Sequence, residues 1–100
     1  MAFIHTKFPG LVVFEPRVFG DERGYFFESY NKQLFASEGL DHDWVQDNQS
    51  SSVYGVIRGL HFQKGEHAQT KLVRCLNGSI LDVVVDLRRD SPTFRQVYSI

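Results

Sequence analysis

Apolar positions along this chain come in short clusters divided by glycine, proline and polar residues, the pattern of β-strands joined by turns. Residues 11–14 read as a first strand, closed by Pro16. Residues 19–24 hold two glycines and read as a polar turn, and residues 25–29 as a second strand. Asn31 then stands as an N-cap before a short helix, Lys32 to Ser37, with Leu34 and Phe35 on its apolar side and Gly39 behind it. A polar connection over residues 40–43 leads into residues 44–52, too polar for a core strand. Extended, that stretch puts Gln46, Asn48 and Ser50 on one face. The row is either a solvated edge strand or a line of neutral donors and acceptors facing a polar ligand.

Residues 56–62 form the next predicted strand. Strict alternation would point Arg58 and His61 to opposite faces, so serving one ligand requires a bulge or twist at Gly59. A polar loop over residues 64–69 follows. Residues 70–76 and 79–87 read as two strands joined by Asn77-Gly78, the dipeptide of a two-residue type I′ hairpin. That turn pairs Leu76 with Ser79, Val73 with Asp82 and Lys71 with Val84. Lys71, Val73 and Cys75 then share a face with Ile80, Asp82 and Val84, with Lys71 and Asp82 as diagonal neighbours. Asp82 is either a structural ion-pair partner or a group that positions Lys71. Residues 88–92 form a turn, and residues 94–100 open a last strand in which the chain stops. The pattern is all-β with one short helix, a sandwich or barrel. A sheet ending in mid-strand is expected to leave an unpaired edge, so these residues read as part of a larger domain, poorly folded and almost inactive alone.

Composition narrows the classes. A net charge of −1 gives no global field for nucleic acid or a membrane, so an anionic ligand must be held locally. The single cysteine, Cys75, forms no intrachain disulfide and reads as a buried small hydrophobe. No apolar run reaches membrane-spanning length, no signal-peptide core is visible, and the cytoplasm is the default location.

The chemistry concentrates between Arg58 and Lys71. Arg58 and Lys71 can hold an anion or a developing negative charge. His61 can move a proton near neutral pH, since an unperturbed imidazole titrates at about 6.5. A base beside a cation is what proton abstraction next to a carbonyl requires. His61, Glu66 and His67 are a poor match to a metal triad. Gly20 and Gly24 lie between strands rather than before a helix, so no phosphate loop is present. Ser50, Ser51 and Ser52 have no assigned base for covalent catalysis.

Several segments, taken in order along nearly the whole chain, resemble the dTDP-4-dehydrorhamnose 3,5-epimerase family. They are Phe19-Gly20-Asp21-Glu22-Arg23-Gly24-Tyr25-Phe26-Phe27-Glu28-Ser29-Tyr30, Val45-Gln46-Asp47-Asn48, Arg58-Gly59-Leu60-His61-Phe62-Gln63, Lys71-Leu72-Val73-Arg74-Cys75, Asp86-Leu87-Arg88 and Ser91-Pro92-Thr93-Phe94. The resemblance implies a cupin-like jelly roll, of which residues 1–100 are the N-terminal part. It also implies an enzyme that inverts two ring carbons of dTDP-4-dehydro-6-deoxy-D-glucose to give dTDP-4-dehydro-L-rhamnose.

On that resemblance His61 is the catalytic base and Lys71 lies beside the sugar C4 oxygen. Arg23, Glu28, Gln46, Asn48 and Arg58 are ligand-binding positions, with Phe19 near the nucleotide; the supporting part of Asp82 comes from the strand register alone. The family works without metal or cofactor, as a dimer whose N-terminal strands cross to the partner. Its acid tyrosine and the aspartate paired with its histidine match no residue here. The rival readings are a related one-carbon epimerase or ketoisomerase, and a non-catalytic module that binds sugar nucleotides.

Overall fold

The computed structural model describes residues 1–100. Its regular structure is three antiparallel two-stranded sheets and one helix. Strand β1 (Ala2–His5) pairs with β2 (Val12–Glu15), β3 (Val18–Asp21) with β4 (Gly24–Phe27), and β5 (Val83–Val85) with β6 (Val97–Ser99).

Helix α1 spans Lys32–Ser37, as the capping pattern predicts. The Asn31 side-chain oxygen accepts from the Leu34 N–H at 3.1 Å, satisfying one of the free donors of the first turn. Gly39, at φ +78°, takes the left-handed conformation that ends the helix. The apolar face of α1 packs on the first sheet. Phe35 is 3% exposed, with the rings of Phe3, Phe14 and Tyr30 centred 5.2, 5.0 and 4.8 Å from its own. Edge-on contacts of this kind add to the burial itself.

A second cluster forms at the other end of the chain. Asp86, 6% exposed, accepts from the Arg88 backbone N–H, from Arg88 Nε and Nη2, and from the hydroxyls of Ser91 and Thr93. Both hydroxyl bonds are 2.6 Å. Arg88 Nη1 reaches out of the cluster and donates to the Pro9 carbonyl at 2.7 Å. Beside that contact Phe8, 3% exposed, packs against Tyr98 with ring centroids 5.9 Å apart. Arg95, at φ +68°, takes the left-handed conformation, and its N–H is bonded to the Asp86 carbonyl at 2.7 Å.

The sequence pattern needs correction at several points. Residues 19–24 are not a simple turn: their first half is strand β3, and only Glu22 and Arg23 form the loop. Strand β1 lies ahead of the first expected strand, its apolar signal being only Phe3 and Ile4. Residues 44–81 carry no strand ladder, so the strands expected over 56–62 and 70–76 are absent as paired elements. The polar loop at 64–69 holds one 3₁₀ turn, Gly65–His67. The chain bends at Asn77-Gly78, but the Leu76–Ser79, Val73–Asp82 and Lys71–Val84 pairs do not form. Asp82 instead exchanges both backbone bonds with Ile100, at 2.9 and 3.0 Å, and β5 continues that ladder with β6. The two arms around the bend still turn Val73, Cys75, Ile80 and Asp82 toward one hollow, as the expected register placed them. Because that hollow is open, Cys75 is exposed rather than buried. The radius of gyration, 15.5 Å, exceeds the value of about 13 Å for a compact chain of this length.

Phe35→Ala should lower stability by about 3–5 kcal/mol, read from urea denaturation, because the cavity falls among three aromatic rings. A second outcome concerns acid. The Arg88 guanidinium, then the Ser91 and Thr93 hydroxyls, hold the Asp86 carboxyl far below the usual carboxylate range. The unfolded chain therefore takes up this proton first as pH falls. The stabilisation is complete above about pH 4 and drains away below it. Urea midpoints measured from pH 7 down to pH 2 should show a steep acid limb that Asp86→Asn flattens, with the variant also less stable at pH 7.

Candidate active site

The expected site residues fall on three stretches. Phe19 lies on β3, half exposed, with the Arg17 guanidinium 4.8 Å from its ring centroid. Arg23 sits in the two-residue loop between β3 and β4. Phe19 and Arg23 line one shallow hollow on this hairpin, along with Tyr25 and Phe26. The Arg23 guanidinium is held by Asp21, with Nε 3.1 Å and Nη2 2.6 Å from Oδ2, and its backbone N–H donates to Oδ1 at 2.8 Å. Arg23 keeps the Asp21 carboxyl below its ordinary range, and Asp21 raises Arg23 in return. Glu28 follows β4 and is exposed.

The polar row comes next. Gln46 Nε2 donates to Asn48 Oδ1 at 3.2 Å, so the two amides share a face, as an extended backbone places positions two apart. Both are exposed. Arg58 Nε donates to Ser52 Oγ at 3.0 Å, which ties the end of the polar row to the histidine segment.

Gly59 separates Arg58 from His61. Its φ of +99° lies where side-chain-bearing residues are strained, so the alternation that would send Arg58 and His61 apart does not run through it. The His61 ring turns back over this glycine: a Cβ built there would stand 3.3 Å from His61 Nδ1. His61 is exposed and has no carboxylate partner. Lys71 is likewise exposed and makes no ion pair, and the expected Lys71–Asp82 bridge is not formed, since Asp82 belongs to the ladder with Ile100. His67 lies 3.5 Å from Glu66, and no three His, Cys, Asp or Glu side chains converge as a metal site would need.

The structure thus joins Phe19 to Arg23, Gln46 to Asn48, and Arg58 to the serine run, and leaves His61 and Lys71 free. Sequence reasoning passed over Asp21, Ser52 and the Asp86 cluster. A signal for two of these was present, the spacing Asp-x-Arg, which occurs at 21–23 and again at 86–88. Chemically, an imidazole suits proton transfer and a free ammonium suits a developing oxyanion, each taken singly.

The family model for dTDP-4-dehydrorhamnose 3,5-epimerase matches residues 5–100. The protein of that name from Salmonella typhimurium is 57% identical over 97 residues, covering 96% of this chain and 53% of its own. That from Methanothermobacter thermautotrophicus is 53% identical over 92 residues, 92% of this chain and 49% of its own. The crystal structure of the epimerase from Elizabethkingia anophelis superposes with a TM-score of 0.90 at 51% identity, covering all of this chain and 55% of that one. The Bacillus anthracis structure, with TDP and PPi bound, gives 0.93 at 53% identity, over 99% of this chain and 57% of that one. The chain spans about half the length of the curated relatives it matches. Its mostly β chain with one short helix takes the cupin-like fold of these epimerases.

Gly59→Ala should push the His61 ring off its seat and cost about 1–2 kcal/mol through the positive φ. In ring-proton NMR spectra the His61 signals should shift while those of His5, His42 and His67 stay in place.

Proposed function

The chain belongs to the dTDP-4-dehydrorhamnose 3,5-epimerase family, and from that premise we propose that it acts as a dTDP-sugar epimerase. Its substrate is dTDP-4-dehydro-6-deoxy-D-glucose and its product dTDP-4-dehydro-L-rhamnose, formed by removing and returning protons at C3 and C5. Residues 1–100 are then the N-terminal part of one cupin-like epimerase domain. One observation carries the reading: the family model matches residues 5–100, the stretch that holds His61 and Lys71 in the ordered segments of the resemblance.

The steps follow from the substrate. The C4 ketone acidifies the protons on both flanking carbons. His61, neutral, takes one, and charge moves onto the ketone oxygen as an enolate. The Lys71 ammonium stands ready for that oxygen, and because the charge exists only in the transition state and intermediate, the interaction speeds the step. Asp82 has a supporting part, since it lines one hollow with Val73 and Cys75, which follow Lys71 along the chain. Arg58, steadied by Ser52, serves a diphosphate oxygen or the sugar. Gln46 and Asn48 offer neutral donors and acceptors, and Phe19, Arg23 and Glu28 form the nucleotide end. A relative whose crystal structure holds TDP and PPi supports a nucleotide diphosphate as the ligand class.

The ketone itself supplies the acidity, so the reading requires no metal or cofactor. It places the protein in the cytoplasm as a homodimer with exchanged N-terminal strands, supplying rhamnose for surface glycans such as lipopolysaccharide O-antigen. No helix is long and apolar enough to cross a membrane.

In the active enzyme His61→Ala should lower kcat by about 10²–10⁴-fold with little change in TDP affinity. Lys71→Met should lower turnover strongly as well. Solvent deuterium should wash into both carbons flanking the ketone. Exchange at one carbon alone would indicate a one-carbon epimerase, and none at all a binding module.

A further inference from the structure

The chain uses one local device twice. In Asp86-Leu87-Arg88, Asp86 Oδ1 accepts the Arg88 backbone N–H at 3.0 Å, and the carboxylate takes Nε and Nη2 of the guanidinium at 2.9 and 3.0 Å. In Asp21-Glu22-Arg23, Asp21 Oδ1 accepts the Arg23 backbone N–H at 2.8 Å, and Oδ2 takes Nε and Nη2 at 3.1 and 2.6 Å. Each aspartate thus occupies the side edge of its arginine. A guanidinium has a second fork, the end formed by Nη1 and the outer hydrogen of Nη2, and the side-edge contact leaves it pointing away from the carboxylate. At Arg88 that end is used: Nη1 donates to the Pro9 carbonyl at 2.7 Å. At Arg23 the same end faces solvent, beside Phe19 in the hairpin hollow, and the side chain is 86% exposed.

We infer that Asp21 is a positioning residue that aims the end fork of Arg23 at a phosphate oxygen of the nucleotide diphosphate. The inference rests on the reading of Arg23 as a substrate-binding position. Two physical consequences favour positioning over simple neutralisation. A free exposed arginine must give up its rotamer freedom when it binds, whereas the Asp21 contacts give it up in advance. The end fork also matches two oxygens of a phosphate, so the anion can bind without displacing the carboxylate. The aromatic ring of Phe19 in the same hollow, with Arg17 stacked on it, gives a nucleotide a flat apolar surface next to the phosphate contact.

The test is a double-mutant cycle on TDP binding, measured by calorimetry for the parent protein, Asp21→Ala, Arg23→Ala and the double variant. Asp21→Ala should weaken TDP about 10-fold and Arg23→Ala about 30-fold, the range of one charge-assisted contact. The double variant should be no weaker than Arg23→Ala, and thymidine, which lacks phosphate, should bind all four alike. Asp21→Asn keeps the backbone bond that shapes the turn, and should fall between the parent and Asp21→Ala. In turnover, Asp21→Ala should raise KM and leave kcat within about twofold. The inference is overturned if Asp21→Ala binds TDP as tightly as the parent or tighter, since the carboxylate then competes with phosphate. Full additivity in the double variant would overturn it too. A parent that binds TDP but exchanges no deuterium would end the epimerase reading and leave the Asp21 cycle to decide on its own.

Discussion

The buried carboxylate of Asp86 is the point on which the rest of this structure turns. A charge taken out of water is costly unless its lone pairs are filled, and here they are filled by a guanidinium, two hydroxyls and a backbone N–H. Filling them fixes the loop between β5 and β6, since Ser91, Thr93 and Arg88 all lie in it. The same arginine reaches the Pro9 carbonyl, and so joins the last sheet to the loop between the first two strands. The Phe8–Tyr98 contact covers this junction. Elsewhere on the first sheet, Phe35 and its ring partners hold the helix. The ends of the chain are therefore secured by packing and one polar cluster, and the residues between them are uncovered in a chain that spans about half the length of its relatives.

That division leaves apolar and polar side chains uncovered together, Tyr54, Ile57 and Leu60 beside Arg58 and His61. The middle of the chain, residues 44–82, carries the polar row, Arg58, His61 and Lys71, and almost none of it is covered. Its order comes from local bonds instead: Gln46 to Asn48, Arg58 to Ser52, and the His61 ring against Gly59. Short local bonds set the direction of a side chain without burying it, which leaves donors and charges available to a ligand.

The elements legible in the sequence were those whose cause is local. The helix was readable because its cap, its apolar side and its terminating glycine all lie within nine residues, Asn31 to Gly39. The polar row and the shared face of Val73, Cys75, Ile80 and Asp82 were readable because alternation is a property of the backbone. The ladder partners were not. Asn77-Gly78 bends the chain but not as the expected type I′ hairpin, because Asn77 lacks the positive φ that turn needs, and which strand bonds to which is decided by distant residues: Asp82 went to Ile100. The β3–β4 hairpin was hidden because Gly20 and Asp21 look like turn residues. The conformation at Gly59 was anticipated as a need, since Arg58 and His61 could not otherwise serve one ligand. Residue roles came from the ordered resemblance, because a histidine and a lysine ten positions apart say little alone.

The reach of the Arg88–Pro9 bond also bears on the order in which the chain folds. It joins positions 79 apart, whereas β3 and β4 are linked by a loop of two residues. Closing a long loop costs more entropy than closing a short one, and hairpins form within microseconds. The hairpins and helix are thus early events, and the closure between the two ends of the chain comes late. A contact made after the rate-limiting barrier governs how fast the native state opens and hardly affects how fast it forms. The Arg88–Pro9 bond accordingly acts as a latch on the lifetime of the folded state.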